Sequence, residues 1–597
     1  VAEQIQLDIV VKGKRISPFS HLSISQTFNG HHRFELRFNH DVLEKEDALI
    51  FAESQGYLGE LISITLKDEQ HPDLGDNIFK GIVTEIGFEN RVGSTNCLVF
   101  SGYSPTILLD ASNVHATFTA KSLSAIARDL LGQVPSNLLS TSVQPVFKGN
   151  IPYVVQYGES AFQFLRRLAA QFGEWFFYDG TSLHFGKPSN AKSFGIKYPH
   201  HISDLSLQMR ATPLKMEELD YYSKNNEKFN ASSASLSVAG LDKFGSQSQK
   251  VSDSIFSQAS YRPANRKTLN KSELDNTLKA RKAAQAAGMV TLSGTSDTHC
   301  LRPGAIMSIT ATTQLQKGNV KEENYGRYLV VETSHSIHGT GNYQNHFQAI
   351  PAALEIVPNP HNGRPEAEPQ LGIVKDNKDP DKLGRVRVQL LWQKDRDMTP
   401  WIKVMSPHAG ERTGGAKNRG LFFTPEVNDY VVVGFTHGDP DRPFVLGSVH
   451  HGKSIDSAKN TDNSIKAITT RSGNTIYLKD KDDGKEQEIV IKTDDANLVS
   501  IQVRNGDGTV KILSTKDVEV TSDKNVKVKS DKITIEAGSK LEMKAQEISI
   551  QATGKLEAKG AQVTLEGSGS AKVKGGGTLD LEGGGMANLK AGLVKIN

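Results

Sequence analysis

From residue 518 to residue 596 the chain repeats one short pattern: two apolar residues flank a single position, and four or five mostly polar or glycine residues follow. The triplets are Val518-x-Val520, Val526-x-Val528, Ile533-x-Ile535, Leu541-x-Met543, Ile548-x-Ile550, Leu556-x-Ala558, Val563-x-Leu565, Ala571-x-Val573, Leu579-x-Leu581, Ala587-x-Leu589 and Val594-x-Ile596, with starts seven or eight residues apart. In a strand, residues two apart share a face, so each triplet predicts a short strand that turns both apolar side chains inward. Such a strand cannot bury a core alone, and one sheet of them leaves long open edges. Stacked rungs solve both problems, as a single-chain solenoid or as several chains wound into a closed prism. The rung is far shorter than the roughly 20-residue coil of most single-chain solenoids. Its inward side chains form no aromatic ladder, and no polar cap closes the run. These features predict an intertwined three-chain β-prism over residues 516–597. The inward residues shrink at Ala571 and Ala587, and glycine triplets occupy Gly575–Gly577 and Gly583–Gly585, the pattern of a taper. A low-complexity disordered tail would lack this period and its β-branched residues.

Upstream the alternation is also two-residue. QIQLDIVV, RFELRFNH, LISITLKD and CLVFSGY within residues 1–110 read as strands separated by turns. Helical spacing is expected in three places. The first is Ser122–Leu131, with Ser122 as N-cap and Gly132 as stop. The second is Ser160–Phe172, where Phe162, Leu165, Leu168 and Phe172 share a face and Gly173 ends the run. The third is Ser272–Ala287, rich in alanine. Residues 225–265 are rich in Ser and Asn with weak periodicity and read as a surface excursion. Prolines 358, 360, 365 and 369 mark a boundary. Beyond it, LGIVKD, GRVRVQLLW, WIKVMSP, DYVVVGF and PFVLGSVH supply five strand candidates with long loops, the signature of a small OB-type Greek-key barrel. The fold class expected is all-β with a few short helices: β-barrel hub domains at 1–364, an OB-fold at 365–455, a neck at 456–515 and the needle at 516–597.

Composition narrows the partners. A net charge of +3 over 597 residues gives no field that would draw the chain to nucleic acid or an anionic membrane. From Asp517 onward 12 Lys interleave with 11 Asp and Glu, which predicts a solvated outer face. No apolar run approaches the roughly 18–20 residues of a membrane span, and the first residues alternate like a strand without the apolar core of a signal peptide. Cys97 and Cys300 are the only cysteines, too few for a disulfide framework and in keeping with folding in a reducing cytoplasm.

Three stretches carry a resemblance. YGESAFQFLRRLAAQFGEWFFYDG (157–180) resembles the hub segment of contractile-tail spikes. Residues 383–452, from LGRVRVQLLW to LFFTPEVNDYVVVGFTHGDPDRPFVLGSVHHG, closely resemble their OB-fold. ITTRSGNTIYLKDKDDGKEQEIVI (468–491) looks like the neck before their needle. The chain is thus similar to the VgrG family, the trimeric spike of type VI secretion and related contractile injection systems. That resemblance implies a homotrimer that joins an Hcp-like inner tube and the baseplate to a membrane-piercing point. It also implies a PAAR-like tip protein, carried effectors, assembly in the bacterial cytoplasm and export by the contractile apparatus. The tip contact is expected at Leu593, Val594 and Ile596, where the last rung leaves apolar surface uncovered.

Candidate chemistry is sparse. GSVHHGKS (447–454) satisfies the phosphate-loop pattern, but that loop works through a following helix N-terminus, and IDSAKNTDNS has no helical periodicity. H-E-x-x-H, G-x-S-x-G and paired C-x-x-C are absent from the sequence. In GDPDRP (438–443), prolines stiffen a turn between two strands, and Asp439 and Asp441 are expected to accept hydrogen bonds from free backbone N–H groups rather than to hold a metal. The histidine pairs 31–32, 200–201 and 450–451 beside turn residues are expected at the surface, as are Arg166 and Arg167. No catalytic residue, cofactor or metal site is expected, and the role expected is mechanical. A trimeric β-prism adhesin and a β-helical polysaccharide-acting enzyme are the alternatives. The short rungs leave no wall for the cleft that the enzyme would need.

Overall fold

The computed structural model describes residues 5–45, 50–69, 71–90, 96–314, 320–359, 363–415, 419–455, 462–481, 487–493, 499–504 and 508–596. The chain divides into two compact units, one of residues 1–494 with 502–510, the other of residues 495–501 with 511–597.

The first unit is built on a 13-stranded sheet. Its central strand, Val320–His338, pairs antiparallel with Ile306–Gln314, Tyr343–Pro351 and the distant His21–Thr27. From His21–Thr27 the ladder continues through Arg33–Asn39, Cys97–Tyr103, Asn77–Glu89, Leu61–Lys67 and Gln6–Val11. Strands from residues 6–103, 193–209 and 290–351 therefore share one sheet, while Met216–Tyr222, Glu227–Ser232 and Ser260–Pro263 form a separate three-stranded one. The alternation read in the sequence is realised along these strands: Leu22, Ile24, Phe34, Leu36, Phe38, Ile62, Ile64 and Phe100 interlock as one core. Gly102 lies where the ladder shifts register between Val83 and Glu85, and a Cβ there would stand 1.9 Å from the Ile82 carbonyl oxygen. Only glycine allows the strands to approach this closely.

Helix α1 (Leu123–Leu131) is N-capped by Ser122, as expected. Helix α2 (Ala161–Phe172) starts at a reciprocal capping box between Ser160 and Gln163 and ends at Gly173 in the left-handed conformation. Both helices bury their apolar faces in one cluster with Phe118, Ile151, Phe176 and Phe185. Helix α3 (Lys243–Ile255) overturns the reading of 225–265 as an excursion without helix. Its buried positions are Gly245, Ser248 and Ser252, so the packed face carries no apolar period. Ser252 Oγ donates to the Ser248 carbonyl at 2.7 Å and accepts from Thr212 N at 3.0 Å, which satisfies the buried hydroxyl. Helix α4 (Lys271–Ala286) matches the third predicted helix and packs Leu274 and Leu278 beside Met216 and Phe229.

After the prolines, Arg387–Leu390, Gln370–Asp376, Tyr430–Phe435 and Pro443–Ser448 form a four-stranded antiparallel sheet in that order. WIKVMSP, expected as a fifth strand, contributes only the bridges Val386–Ile402 and Val404–Val445. These still close the small barrel over Val374, Val388, Val431, Val433 and Val445. Among the described residues no helix is long and apolar enough to cross a membrane.

His31 and His32 correct the expectation of a surface pair. His32 is fully buried, and its Nδ1 lies 3.1 Å from Gln26 Nε2, while the His31 ring bridges Thr106 and Asp110 at 2.7 and 2.8 Å. His450 and His451 are exposed, and of 200–201 only His200 is. Burial pushes His32 down to about 3, and burial with the neighbouring His299 pushes His335 down to about 4. The unfolded chain binds these protons near 6.5, so the native state holds fewer protons between pH 4 and 6.5 and loses stability as pH falls through that window. Each histidine should cost about 2 kcal/mol at pH 5 relative to pH 7.5. Urea unfolding of wild type against His32→Gln and His335→Gln tests this; the pH 5 loss should shrink by about that amount per substitution.

Candidate docking and assembly site

The GDPDRP turn is buried in the first unit as a charged seam. Asp441 and Asp439 are 6% and 2% exposed. Asp441 Oδ1 accepts from Val155 N at 2.7 Å, and Asp439 Oδ1 accepts from Asp441 N at 3.0 Å, so both aspartates act as the backbone acceptors that the turn was expected to need. Arg442 Nη2 donates to Asp220 Oδ2 at 3.1 Å and to the Arg266 carbonyl at 2.8 Å, and Arg364 Nη1 reaches Asp439 Oδ2 at 3.0 Å. The turn thereby ties the OB-type barrel to strand Met216–Tyr222, to the loop before α4 and to strand Asn150–Glu159.

Arg167 joins the same seam, against the expectation of solvated charge. It is 2% exposed, grips Glu159 through Nε and Nη2 at 2.8 Å each, donates to the Val155 carbonyl at 2.7 Å and stacks over Phe164 at 5.0 Å. A bidentate pair with its remaining donor satisfied is the form in which a buried guanidinium is tolerated. Arg166 is partly buried over Phe162. The sequence signal for the difference is the spacing of Glu159 and Arg167, which only the helix entry at Ser160 brings together.

Burial and the adjacent Asp439 push Asp441 up to about 7, whereas Arg442 and Thr268, working against burial, hold Asp220 below its usual value. Gly452–Ser454 form a turn in which His451 N donates to Ser454 Oγ at 2.8 Å, so among the described residues no helix begins at the Gly-Lys-Ser of the phosphate-loop pattern. The residues after Ile455, 456–461, lie outside those described.

Downstream of the barrel, strands Ile465–Thr469, Thr475–Lys479 and Glu488–Lys492 pair antiparallel, with Ile468 opposite Ile476, Ile476 opposite Ile491 and Leu478 opposite Ile489. This register collects five apolar side chains on one face, and all five are exposed. In the second unit, the residues predicted to line the needle (Val518, Val520, Val526, Val528, Ile533, Ile535, Leu541, Met543, Ile548, Ile550, Val563, Leu565, Leu579 and Leu581) run along an extended chain. They and the other large apolar residues from Val518 onward are between 48% and 89% exposed. One copy of the chain brings none of them together. Leu593, Val594 and Ile596 are likewise exposed. On the polar side, Glu542 sits between Lys540 and Lys544, and Glu557 between Lys555 and Lys559.

Comparison with known proteins decides the family. The phage tail baseplate hub model matches residues 27–341, over half of the chain. The chain belongs to the phage tail baseplate hub family. The injector OB-domain model of type VI secretion systems and phage baseplates matches residues 370–450, and that of a putative autotransporter adhesin head domain matches 465–594. The type VI secretion system spike protein VgrG5 of Pseudomonas aeruginosa is 33% identical over 121 residues, covering 19% of this chain and 15% of the relative. Spike protein VgrG1b of the same organism is 26% identical over 218 residues, 30% of this chain and 29% of the relative. The matched stretches thus span less than a third of these relatives. In fold, the chain is similar to one in the Francisella PdpA–VgrG complex, with a TM-score of 0.53 at 9% identity over 86% of this hub chain and 80% of that one.

The seam generates two expectations. Arg442→Ala should destabilise the first unit by about 3–5 kcal/mol, because Asp220 stays buried without its partner. For Asp441, a carboxyl raised in the native state keeps its proton between about pH 4 and 7 while the unfolded chain loses it, so its contribution weakens as pH rises. Relative to Asp441→Asn, the wild type should lose about 2–3 kcal/mol between pH 5 and pH 8. Urea titrations of both variants at the two pH values measure these effects.

Proposed function

We propose that this hub-family chain is the structural spike of a contractile injection system of the type VI secretion kind. It would work as a homotrimer without catalytic turnover. The observation that carries this reading is the ribbon of residues 516–596, which presents apolar side chains at every rung and buries none of them within one copy. Three copies wound together would give each rung six inward side chains and close the lateral edges. Each side chain taken out of water would contribute about 1.5–3 kcal/mol. The exposed apolar face of the neck sheet fits the same assembly. In this reading residues 1–364 form the hub, 365–455 the OB-fold, 456–515 the neck and 516–597 the needle.

The partners follow from that role: an Hcp-like inner-tube protein and baseplate proteins at the hub, effectors as cargo, and a target membrane pierced by contraction. A PAAR-like tip protein would dock by strand addition on Leu593, Val594 and Ile596. Assembly would take place in the bacterial cytoplasm, with export by the contraction itself. A trimeric fibre, the alternative reading, also requires the prism but no inner-tube partner; the hub and OB-domain matches upstream support the spike instead.

Sedimentation equilibrium of the full chain should give three times the chain mass of 65.2 kDa. Ile548→Asp or Ile550→Asp should weaken the trimer, since each places three carboxylates at one buried level at several kcal/mol apiece. A wild-type monomer would overturn the model, and a trimer that never co-sediments with inner-tube rings would favour the fibre. Deleting residues 593–597 should abolish capture of the tip protein and leave the trimer intact, because ten rungs precede it; capture at wild-type affinity would refute the tip assignment.

A further inference from the structure

The polar side of the ribbon carries an order of its own. Lys540 Nζ lies 2.7 Å from Glu542 Oε2 and Lys555 Nζ 2.5 Å from Glu557 Oε2, and Lys544 and Lys559 close on the same two carboxylates from beyond. The residues before, within and after each triplet thus stand on one side of the extended chain, opposite the apolar pair. They make three outward columns.

The trailing column alternates in sign. From Lys529 to Lys590, on nine successive rungs, it reads Lys, Glu, Lys, Gln, Lys, Glu, Lys, Glu, Lys. Where Gln551 replaces an anion, the leading column supplies one: Glu547 on that rung falls between Lys540 and Lys555 on the rungs to either side. In the middle column Glu519 precedes Lys527 and Lys572 precedes Asp580, while Ser549 separates Glu542 from Glu557. Across the three columns, Lys532 and Lys540 are the one like-charged pair on neighbouring rungs. Charges that only solvate a surface need no such order.

Signs that alternate from rung to rung matter where one rung stacks directly on the next. Parallel strands of one chain need a crossover of about a dozen residues or more, and here four or five separate successive triplets. The neighbouring rung therefore belongs to another copy. A three-chain winding has this arrangement, since each copy moves round one face per rung and each face takes successive rungs from successive copies. The apolar triplets are nearly interchangeable, so burial alone tolerates a copy displaced by a whole rung. That slip sets a rung beside the same rung of one neighbour and beside the next but one of the other. In the trailing column both placements put Lys against Lys and Glu against Glu, except at Gln551. Strands lie about 4.8 Å apart, and like charges directly opposite one another are destabilising.

We infer that the trailing column is a register code, in which Lys and Glu of one copy pair with Glu and Lys on the next rung of another copy and so align the three chains. The inference rests on the three-chain reading above and names the contacts that discriminate within it. Single exposed ion pairs contribute little. This set acts through the misaligned state, where attraction becomes repulsion along most of the column.

Two measurements on the full chain test it. In the double variant Glu566→Cys, Lys574→Cys, mild oxidation should join position 566 of each copy to position 574 of another, because neighbouring strands stand at a Cα separation that suits a disulfide. These bonds link all three copies into one covalent trimer, and peptide mass mapping identifies the pair. Bonds between two copies of position 566, or no bond between copies of a sedimenting trimer, would overturn the stacking order. Separately, Glu566→Lys sets lysines in succession at 559, 566 and 574 and should lower the thermal dissociation midpoint by several degrees, less so in about 1 M salt. Combining it with Lys559→Glu, Lys574→Glu, Glu582→Lys and Lys590→Glu restores alternation and should restore the midpoint. A single reversal without effect, or an inverted column as unstable as the single reversal, would overturn the code while the trimer stands. A wild-type monomer would overturn both the code and the three-chain reading.

Discussion

The governing constraint is apolar surface that one copy of the chain cannot bury. A triplet rung offers two side chains and too few backbone groups to build a sheet on itself, so residues 518–596 run extended, with their hydrophobic positions facing water. Burial of apolar area is the dominant driving force of association, and here it is presented as a linear array rather than a patch. An array repeated every seven or eight residues favours a partner with the same repeat, and another copy of the chain has it.

The first unit obeys the opposite rule, because its polar groups are buried and matched internally. Arg442, Arg167, Asp220, Asp439 and Asp441 draw the OB-type barrel, a hub strand and a hub helix into one network. Such a network adds little net stability over an apolar filling of equal volume, but mispairing it is costly. Because mispairing strands a buried charge, the seam favours one geometry of the barrel against the hub strand and helix.

Much of the molecule was legible in the sequence because local periodicity and burial coincide there. The two-residue alternation of QIQLDIVV and RFELRFNH, the capping box at Ser160 and the stop at Gly173 are short-range signals, and the structure realises each of them. Helix α3 was hidden because its packed face is Gly245, Ser248 and Ser252, which leaves no apolar period to read. WIKVMSP alternates like a strand but closes the barrel through single bridges, since its neighbours offer no longer ladder.

The sequence by itself determined the strand-rich class, three of the four α-helices among the described residues and the rung pattern of the ribbon, all of which depend on residues within a few positions of one another. Tertiary structure alone decided that His21–Thr27 pairs with Val320–His338 and that His32 and Arg167 are buried. It alone decided that the GDPDRP turn reaches Asp220 and Val155. The strand pairing and the turn contacts join positions hundreds of residues apart, and a charge or an imidazole has the same local pattern whether it ends against water or inside the fold. The cost of desolvation, which settles between the two, exists only once the chain has folded around it.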